Sequence, residues 1–171
     1  MKFNAAILLA GASAVSASFN HNIDAIGYSL GGLHSAVEAY TIPDKYAAQS
    51  INDAADDVNA LIADAIHIAK GVESLAEDVA EDAVASLKTV LDKAEKLSVL
   101  VGKSAGVLLE DVEELGESAA HFVLGGFANI EHGALSFADV TARLFIGGLA
   151  SEARALSNGV IGAFHDIVDV L

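Results

Sequence analysis

The sequence predicts an all-α protein, an antiparallel bundle of about five amphipathic helices. Three observations support this class: the 171 residues include a single proline, alanine is abundant, and apolar residues recur at mixed three- and four-residue spacings over long stretches. The chain has no cysteine, so the bundle must be stable without the disulfides common in small secreted domains. Because 53% of the residues are apolar, the acidic chain can build a core and is not expected to be disordered.

The N-terminus has the three parts of a secretory signal. Lys2 supplies a positive charge, residues 5–15 form a short apolar stretch, and Val15-Ser16-Ala17 is a small-residue cleavage pattern. The apolar stretch is shorter than the ~20 residues that span a bilayer. We therefore expect residues 1–17 to be removed as a signal peptide and residues 18–171 to form one helical domain outside the cell. The alternative is that residues 5–17 begin a helix of the bundle.

The net charge excludes two classes of partner. The formal charge is −15, and it becomes −16 when Lys2 leaves with the signal peptide. So acidic a surface repels nucleic acid, whose binding depends on Lys and Arg against phosphate, and it disfavours anionic membranes. No later run of the sequence predicts a transmembrane segment.

The first two helices of the mature chain are predicted at 22–40 and 44–70. In the first, six apolar residues recur at spacings of 3, 4, 3, 4 and 3: Ile23, Ile26, Leu30, Leu33, Val37 and Tyr40. Pro43 ends it, because the residue before a proline avoids helical geometry. The second has a similar seam, formed by Ile51, Ala55, Val58, Ile62, Ala65 and Ala69, and Gly71 is the expected end.

A third helix is predicted at 74–101 and a fourth at 104–123. Ser74-Leu75-Ala76-Glu77 matches a capping box, in which Ser74 would cap the helix and Glu77 would bond back to it. Gly102 is the expected end of the third helix. Five apolar residues are expected to face inward from the fourth: Leu108, Val112, Leu115, Ala119 and Phe122.

The C-terminal part is predicted to be helical from Ser136 to Leu171. Its seam runs from Ile146 to Val170 at alternating spacings of 3 and 4, and a break or a kink is expected at Asn158-Gly159. Between Gly125-Gly126 and Gly133, only a short helix is expected.

No catalytic apparatus is predicted. Gly27-Tyr28-Ser29-Leu30-Gly31 matches the G-x-S-x-G nucleophile elbow, which needs a strained turn between a strand and a helix. Here the motif lies inside the seam of the first helix, so we attribute the match to chance. The six histidines include no Glu-x-x-His pair of the kind that di-iron bundles require, so no metal and no cofactor are expected.

Five phenylalanines lie in the C-terminal half, near Gly125-Gly126 and Gly147-Gly148: Phe122, Phe127, Phe137, Phe145 and Phe164. Large rings beside absent side chains either interlock as an ordinary core or leave an apolar pocket between helices. If a lipid-binding cavity lies there, its predicted walls are Phe122, Phe145, Ile146 and Gly148. A leucine at position 148 would then fill space between helices.

The order of these features resembles a fungal family. The resembling parts are the signal, residues 22–26 leading through Leu30 and Leu33 to residues 36–40, the Ala- and Asp-rich helices at 47–100, and the closing helix. Together they resemble the hydrophobic surface-binding protein A family, which includes antigenic cell-wall galactomannoproteins. This resemblance implies a secreted or wall-associated helical bundle that adsorbs to hydrophobic surfaces or binds fatty acids between its helices.

The sequence therefore favours a secreted, non-enzymatic protein that binds a fatty acid or another apolar ligand, or a hydrophobic surface, at the cell wall. Two alternatives remain open. The protein is either a structural or antigenic component of the wall, or a secreted effector that acts through a protein partner.

Overall fold

The computed structural model describes residues 4–41, 45–115 and 117–171, with side chains for 17–41, 46–109 and 123–171. Within these ranges the chain forms five helices: α1 (Asn4–Ala39), α2 (Lys45–Lys70), α3 (Glu77–Leu115), α4 (Glu117–Leu144) and α5 (Gly148–Val170). All regular secondary structure in the described ranges is helical, which confirms the predicted all-α class. None of the described helices has an apolar stretch of the length needed to cross a membrane.

The predicted seams of the first two helices form the core. Every seam residue from Ile23 to Val37 on α1, and from Ile51 to Ala69 on α2, is buried, and so is Tyr40 directly after α1. The apolar spacing was therefore sufficient to identify the inward faces of both helices, because helix neighbours three and four residues apart lie on one side.

Helix α1 begins earlier than predicted, at Asn4 rather than near Asn22, so its backbone continues through the predicted signal peptide. Among the described side chains of α1, the first buried one is Phe19, two residues after the predicted cleavage site. The cleavage itself stays a prediction.

The predicted boundaries of the third and fourth helices were wrong. Helix α3 continues through Gly102, where a Cβ would meet no atom within 4 Å, so this exposed glycine weakens the helix without ending it. The predicted capping box does not form, since α3 begins at Glu77. The backbone N–H of Leu75 instead donates to the carbonyl of Leu144 at 3.0 Å, and the Leu75 side chain is buried. The segment that precedes α3 is therefore held against the C-terminal end of α4.

The predicted break at Asn158-Gly159 was also wrong. Both residues lie inside α5, and the chain turns instead at Gly147, whose φ of 66° is unfavourable for residues with a side chain. Gly159 has a packing role, because a Cβ there would lie 2.9 Å from Cδ1 of Leu91 on α3. The segment predicted to be only a short helix belongs to the continuous α4.

The five helices form a closed ring in the order α1, α2, α4, α5, α3. Consecutive helices run antiparallel, as predicted, but three pairs of neighbours in the ring run parallel: α1 with α3, α3 with α5, and α2 with α4. In each pair the contacts advance in the same direction along both helices. For α1 and α3 they are Asn20–Val79 and Asp24–Ser86, and for α3 and α5 they are Lys88–Glu152 and Leu91–Gly159. For α2 and α4 they are Ala55–Gly126 and Ile62–Gly133.

A ring of five helices encloses a wider centre than a four-helix bundle. For neighbouring axes 8–10 Å apart, the centre of a regular five-membered ring lies about 7–8.5 Å from each axis, against about 6–7 Å for four. Aromatic side chains help to fill this space. Phe19 of α1 stacks on Phe137 of α4 across the ring, with their centroids 6.2 Å apart, and Phe127 and Phe164 are almost fully buried.

Two glycines on α4 bring it close to α2. A Cβ at Gly126 would lie 3.1 Å from the Cβ of Ala55, and a Cβ at Gly133 would lie 3.2 Å from Cγ2 of Ile62. Gly126 and Gly133 are seven residues apart and therefore lie on one side of the helix. Part of the glycine content of this region thus permits close helix packing.

Candidate apolar ligand-binding site

A groove of about 810 Å³ lies on the outer side of the contact between α1 and α2. Its walls are mostly apolar, and its volume falls within the range of small-molecule pockets, ~300–1,000 Å³. The residues from His21 to Gly32 extend it over about 16 Å along α1. We call this feature the α1–α2 groove; its lining consists of His21, Asp24, Ala25, Tyr28, Ser29 and Gly32 from α1, with Ala54, Asp57, Ala60 and Leu61 from α2.

The groove exists because small side chains face each other beside the inward seams. Ala25 and Gly32 on α1 lie opposite Ala54 and Ala60 on α2, so little side-chain volume fills the space above the helix contact. At Gly32 a Cβ would meet no atom within 4 Å. The floor of the groove is therefore shallow, open and largely methyl-lined.

Tyr28 is the one aromatic residue in the groove wall, and 84% of its surface is exposed. A tyrosine ring presents a large apolar face and a polar hydroxyl at its tip. Its exposure leaves that apolar face accessible for a ligand in the groove.

The groove continues past His21 into a second pocket of about 540 Å³, which we call the polar end. Its lining is richer in polar groups: Ala17, Ser18, His21 and Asn22 from α1, with Asp64, His67 and Ile68 from α2. His21 lines both pockets, so together they extend over about 22 Å along α1. This surface is apolar along most of its length and carries two imidazoles at one end.

A different groove, between α1 and α3, has a chemistry unsuited to an alkyl chain. It measures about 470 Å³, and its lining includes His34, Glu38, Lys96 and Lys103. Nζ of Lys96 forms an ion pair with Asp92 at 2.7 Å. An apolar ligand there would desolvate charged groups without compensation, so the α1–α2 groove is the better candidate.

The four residues predicted to line a cavity do not meet in one place. Phe145 is buried, whereas Ile146 is 69% exposed, and a Cβ at Gly148 would meet nothing within 4 Å. Gly148 is exposed, so a leucine at 148 would extend into open space. The side chain of Phe122 lies outside the described residues, and its backbone is about 33 Å along α4 from the Phe145 end.

The G-x-S-x-G motif lies within α1, so the strand-to-helix turn of a nucleophile elbow is not formed there. Ser29 lines the groove as part of this helix. In the described residues, no three His, Asp or Glu side chains are grouped so that they could hold a metal ion.

The residues of the groove were not predicted from the sequence. They lie beside the apolar seam, at positions that are expected to face solvent. One signal was available: Tyr28 is a large aromatic residue off the seam, flanked at helical spacing by Ala25 and Gly32. Small residues around an outward-facing aromatic ring form a groove only if a neighbouring helix supplies the other wall. The sequence does not identify that helix.

Two solved structures have a fold similar to that of this chain. Ligand-binding domain 1 of the Penicillium marneffei MP1 protein, solved in complex with arachidonic acids, matches with a TM-score of 0.77 and 16% identity, over 89% of this chain and 95% of that one. AFMP4P, crystallised in complex with palmitic acid, matches with a TM-score of 0.77 and 12% identity, over 91% of this chain and 98% of that one. The five-helix fold is thus shared with two proteins solved with fatty acids.

The sequence comparisons add no assignment. No family model matches the chain, and no curated protein is significantly similar to it in sequence. The similarity is therefore one of fold.

Proposed function

We propose that this protein binds long-chain fatty acids, or ligands with similar alkyl chains, and that the chain lies along the α1–α2 groove. The observation that supports this most is the fold shared, over about nine-tenths of the chain, with two proteins solved with arachidonic and palmitic acid. The groove supports it independently, since its volume, length and apolar lining suit an alkyl chain. We further propose an extracellular setting, on the basis of the predicted signal peptide at residues 1–17. N-terminal sequencing of secreted protein should then begin at Ser18.

Micromolar affinity would require that the groove close over its ligand. An open groove covers about half the surface of ~15 methylenes, which gives ~6 kcal/mol at ~0.8 kcal/mol per methylene. After association costs of at least ~4 kcal/mol, this is too little for micromolar affinity, which needs ~8 kcal/mol. Full coverage would give ~12 kcal/mol gross and reach that affinity. We therefore assign the exposed ring of Tyr28 to the outer side of the bound chain, where it supplies part of the missing cover.

The first test fills the groove. A fluorescent fatty acid is titrated into delipidated protein, and wild type is compared with Gly32→Leu and with the control Gly162→Leu. Both glycines are exposed helical positions where a Cβ meets no atom within 4 Å, but only Gly32 lines the groove. Both substitutions also raise helix propensity. We expect Gly32→Leu to weaken binding several-fold and Gly162→Leu to leave it unchanged.

The second test removes the cover. Tyr28→Ala is compared with Tyr46→Ala, since Tyr46 is also highly exposed, at 81%, and is not part of the groove lining. We expect only Tyr28→Ala to weaken binding.

The two tests separate two failures. Absence of saturable binding by wild type, up to the solubility of the lipid, would refute the proposed function. Saturable binding that none of the groove variants changes would place the ligand elsewhere in the bundle and refute the groove assignment.

A further inference from the structure

We infer that the groove binds its ligand in one orientation, with a carboxylate headgroup at the polar end between His21 and His67 and the alkyl tail directed toward Gly32. This inference rests on the proposed function and adds a headgroup preference to it. It follows from the distribution of hydrogen-bond donors and charges along the two adjoining pockets.

The two ends differ in the groups they offer to an anion. His21 and His67, one from each helix, both line the polar end together with the amide of Asn22. Each imidazole has an N–H donor when neutral and two when protonated, and an Asn amide has two more. At the opposite end the polar side chains of the lining are Tyr28, through its hydroxyl, Ser29 and Asp57, and Asp57 would repel a carboxylate when ionised.

Nearby carboxylates oppose the binding of a carboxylate headgroup at the polar end. The carboxylates that line the two pockets are Asp24, Asp57 and Asp64, and Asp64 lies at the polar end with the two histidines. The oxygen Oδ1 of Asp24 accepts a hydrogen bond from Ser86 at 2.5 Å on the α3 side of the helix, which occupies one of its lone pairs. Asp64 is thus the carboxylate that most directly opposes an incoming headgroup, and its charge should weaken fatty-acid binding.

Processing of the chain would strengthen the same end. If the signal peptide is removed after Ala17, the new α-amino group belongs to Ser18, which lines the polar end. An ammonium group there would add a positive charge beside the two histidines. The same cleavage would remove Ala17 from this lining, so the mature polar end would begin at Ser18.

The experiment compares ligands that share an alkyl chain and differ in the headgroup. Palmitic acid and hexadecanol are each used to displace cis-parinaric acid from full-chain protein. The variants are His21→Leu, His67→Leu and Asp64→Asn. His132→Leu on α4 is the control, because His132 is exposed and is not part of either pocket lining.

We expect each groove histidine variant to weaken the binding of palmitic acid about tenfold or more and to leave the binding of hexadecanol unchanged, as for loss of one hydrogen bond to a charged acceptor. His67→Gln, which keeps an N–H donor, should restore part of the palmitic acid affinity. Asp64→Asn should strengthen the binding of palmitic acid and leave the binding of hexadecanol unchanged. The control should change neither ligand.

Equal changes for both ligands, or palmitic acid binding that is insensitive to both histidines, would overturn the orientation while leaving the proposed function intact. If cis-parinaric acid itself shows no saturable binding to wild type, the proposed function has failed. A groove that binds hexadecanol as tightly as palmitic acid would show that the polar end does not select a carboxylate.

Discussion

The glycine pair Gly125-Gly126 provides a stringent test of the helix arrangement, because one member contacts another helix and its neighbour does not. A Cβ at Gly126 would lie 3.1 Å from the Cβ of Ala55 on α2, whereas a Cβ at Gly125 would meet nothing within 4 Å. Carbon atoms pack best about 3.5–4.0 Å apart, so alanine at 126 requires a displacement of roughly 0.4–0.9 Å. The Cβ of Ala55 is attached directly to its backbone and cannot rotate away.

The expected magnitudes follow from two terms. Either substitution by alanine gains about 0.5–1 kcal/mol from relief of a helical glycine. Only Gly126→Ala also incurs an overpacking cost, which is typically about 1–3 kcal/mol. Gly125→Ala should therefore raise the free energy of unfolding by about 0.5–1 kcal/mol, while Gly126→Ala should lower it or leave it unchanged. The difference between the variants should be at least about 1 kcal/mol.

Urea unfolding followed by circular dichroism measures both free energies, provided that the m-values agree. Introducing Ala55→Gly into the Gly126→Ala background should relieve the overlap and give a favourable coupling energy in a double-mutant cycle. Equal stabilisation by Gly125→Ala and Gly126→Ala, with no coupling to position 55, would refute the close parallel contact of α2 and α4.

Three further predictions concern stability. Gly147→Ala should lower the free energy of unfolding by about 1–3 kcal/mol, measured by urea unfolding, because φ is 66° at that position. Ser157→Ala should leave the melting temperature unchanged or raise it, because the buried Oγ has no hydrogen-bond partner among the described residues. A clearly lower melting temperature would show that the Oγ has a partner. The pKa of His165 is raised above 6.5 by its hydrogen bond to Glu131, at 3.0 Å, and by the charge of Asp169. Protonated His165 therefore stabilises the fold below pH 6.5, and this stabilisation is lost as the pH rises through the raised pKa. His165→Gln should therefore lower stability at pH 5.5 and not at pH 9, and an equal effect at both would exclude this linkage.

The candidate site illustrates why function was harder to predict than fold. Phenylalanines beside glycine pairs suggested a cavity, and yet Phe145 is buried while Ile146 and Gly148 face outward. The α1–α2 groove depends on which off-seam residues of two helices face each other. The sequence contains those residues but does not state their pairing, because the pairing depends on helix register and on the neighbours in the ring.

The sequence by itself determined the helical class and the inward faces of α1 and α2, because burial of apolar side chains selects one stripe per helix whatever its neighbours are. It did not determine the helix ends, since a glycine such as Gly102 weakens a helix by only about 1 kcal/mol and tertiary contacts can outweigh that. Nor did it determine the ring order with its parallel neighbours. Those depend on close approaches such as Gly126 to Ala55 and Gly159 to Leu91, which are long-range contacts between residues far apart in the chain. The groove is a consequence of that order, so only the tertiary structure could reveal it.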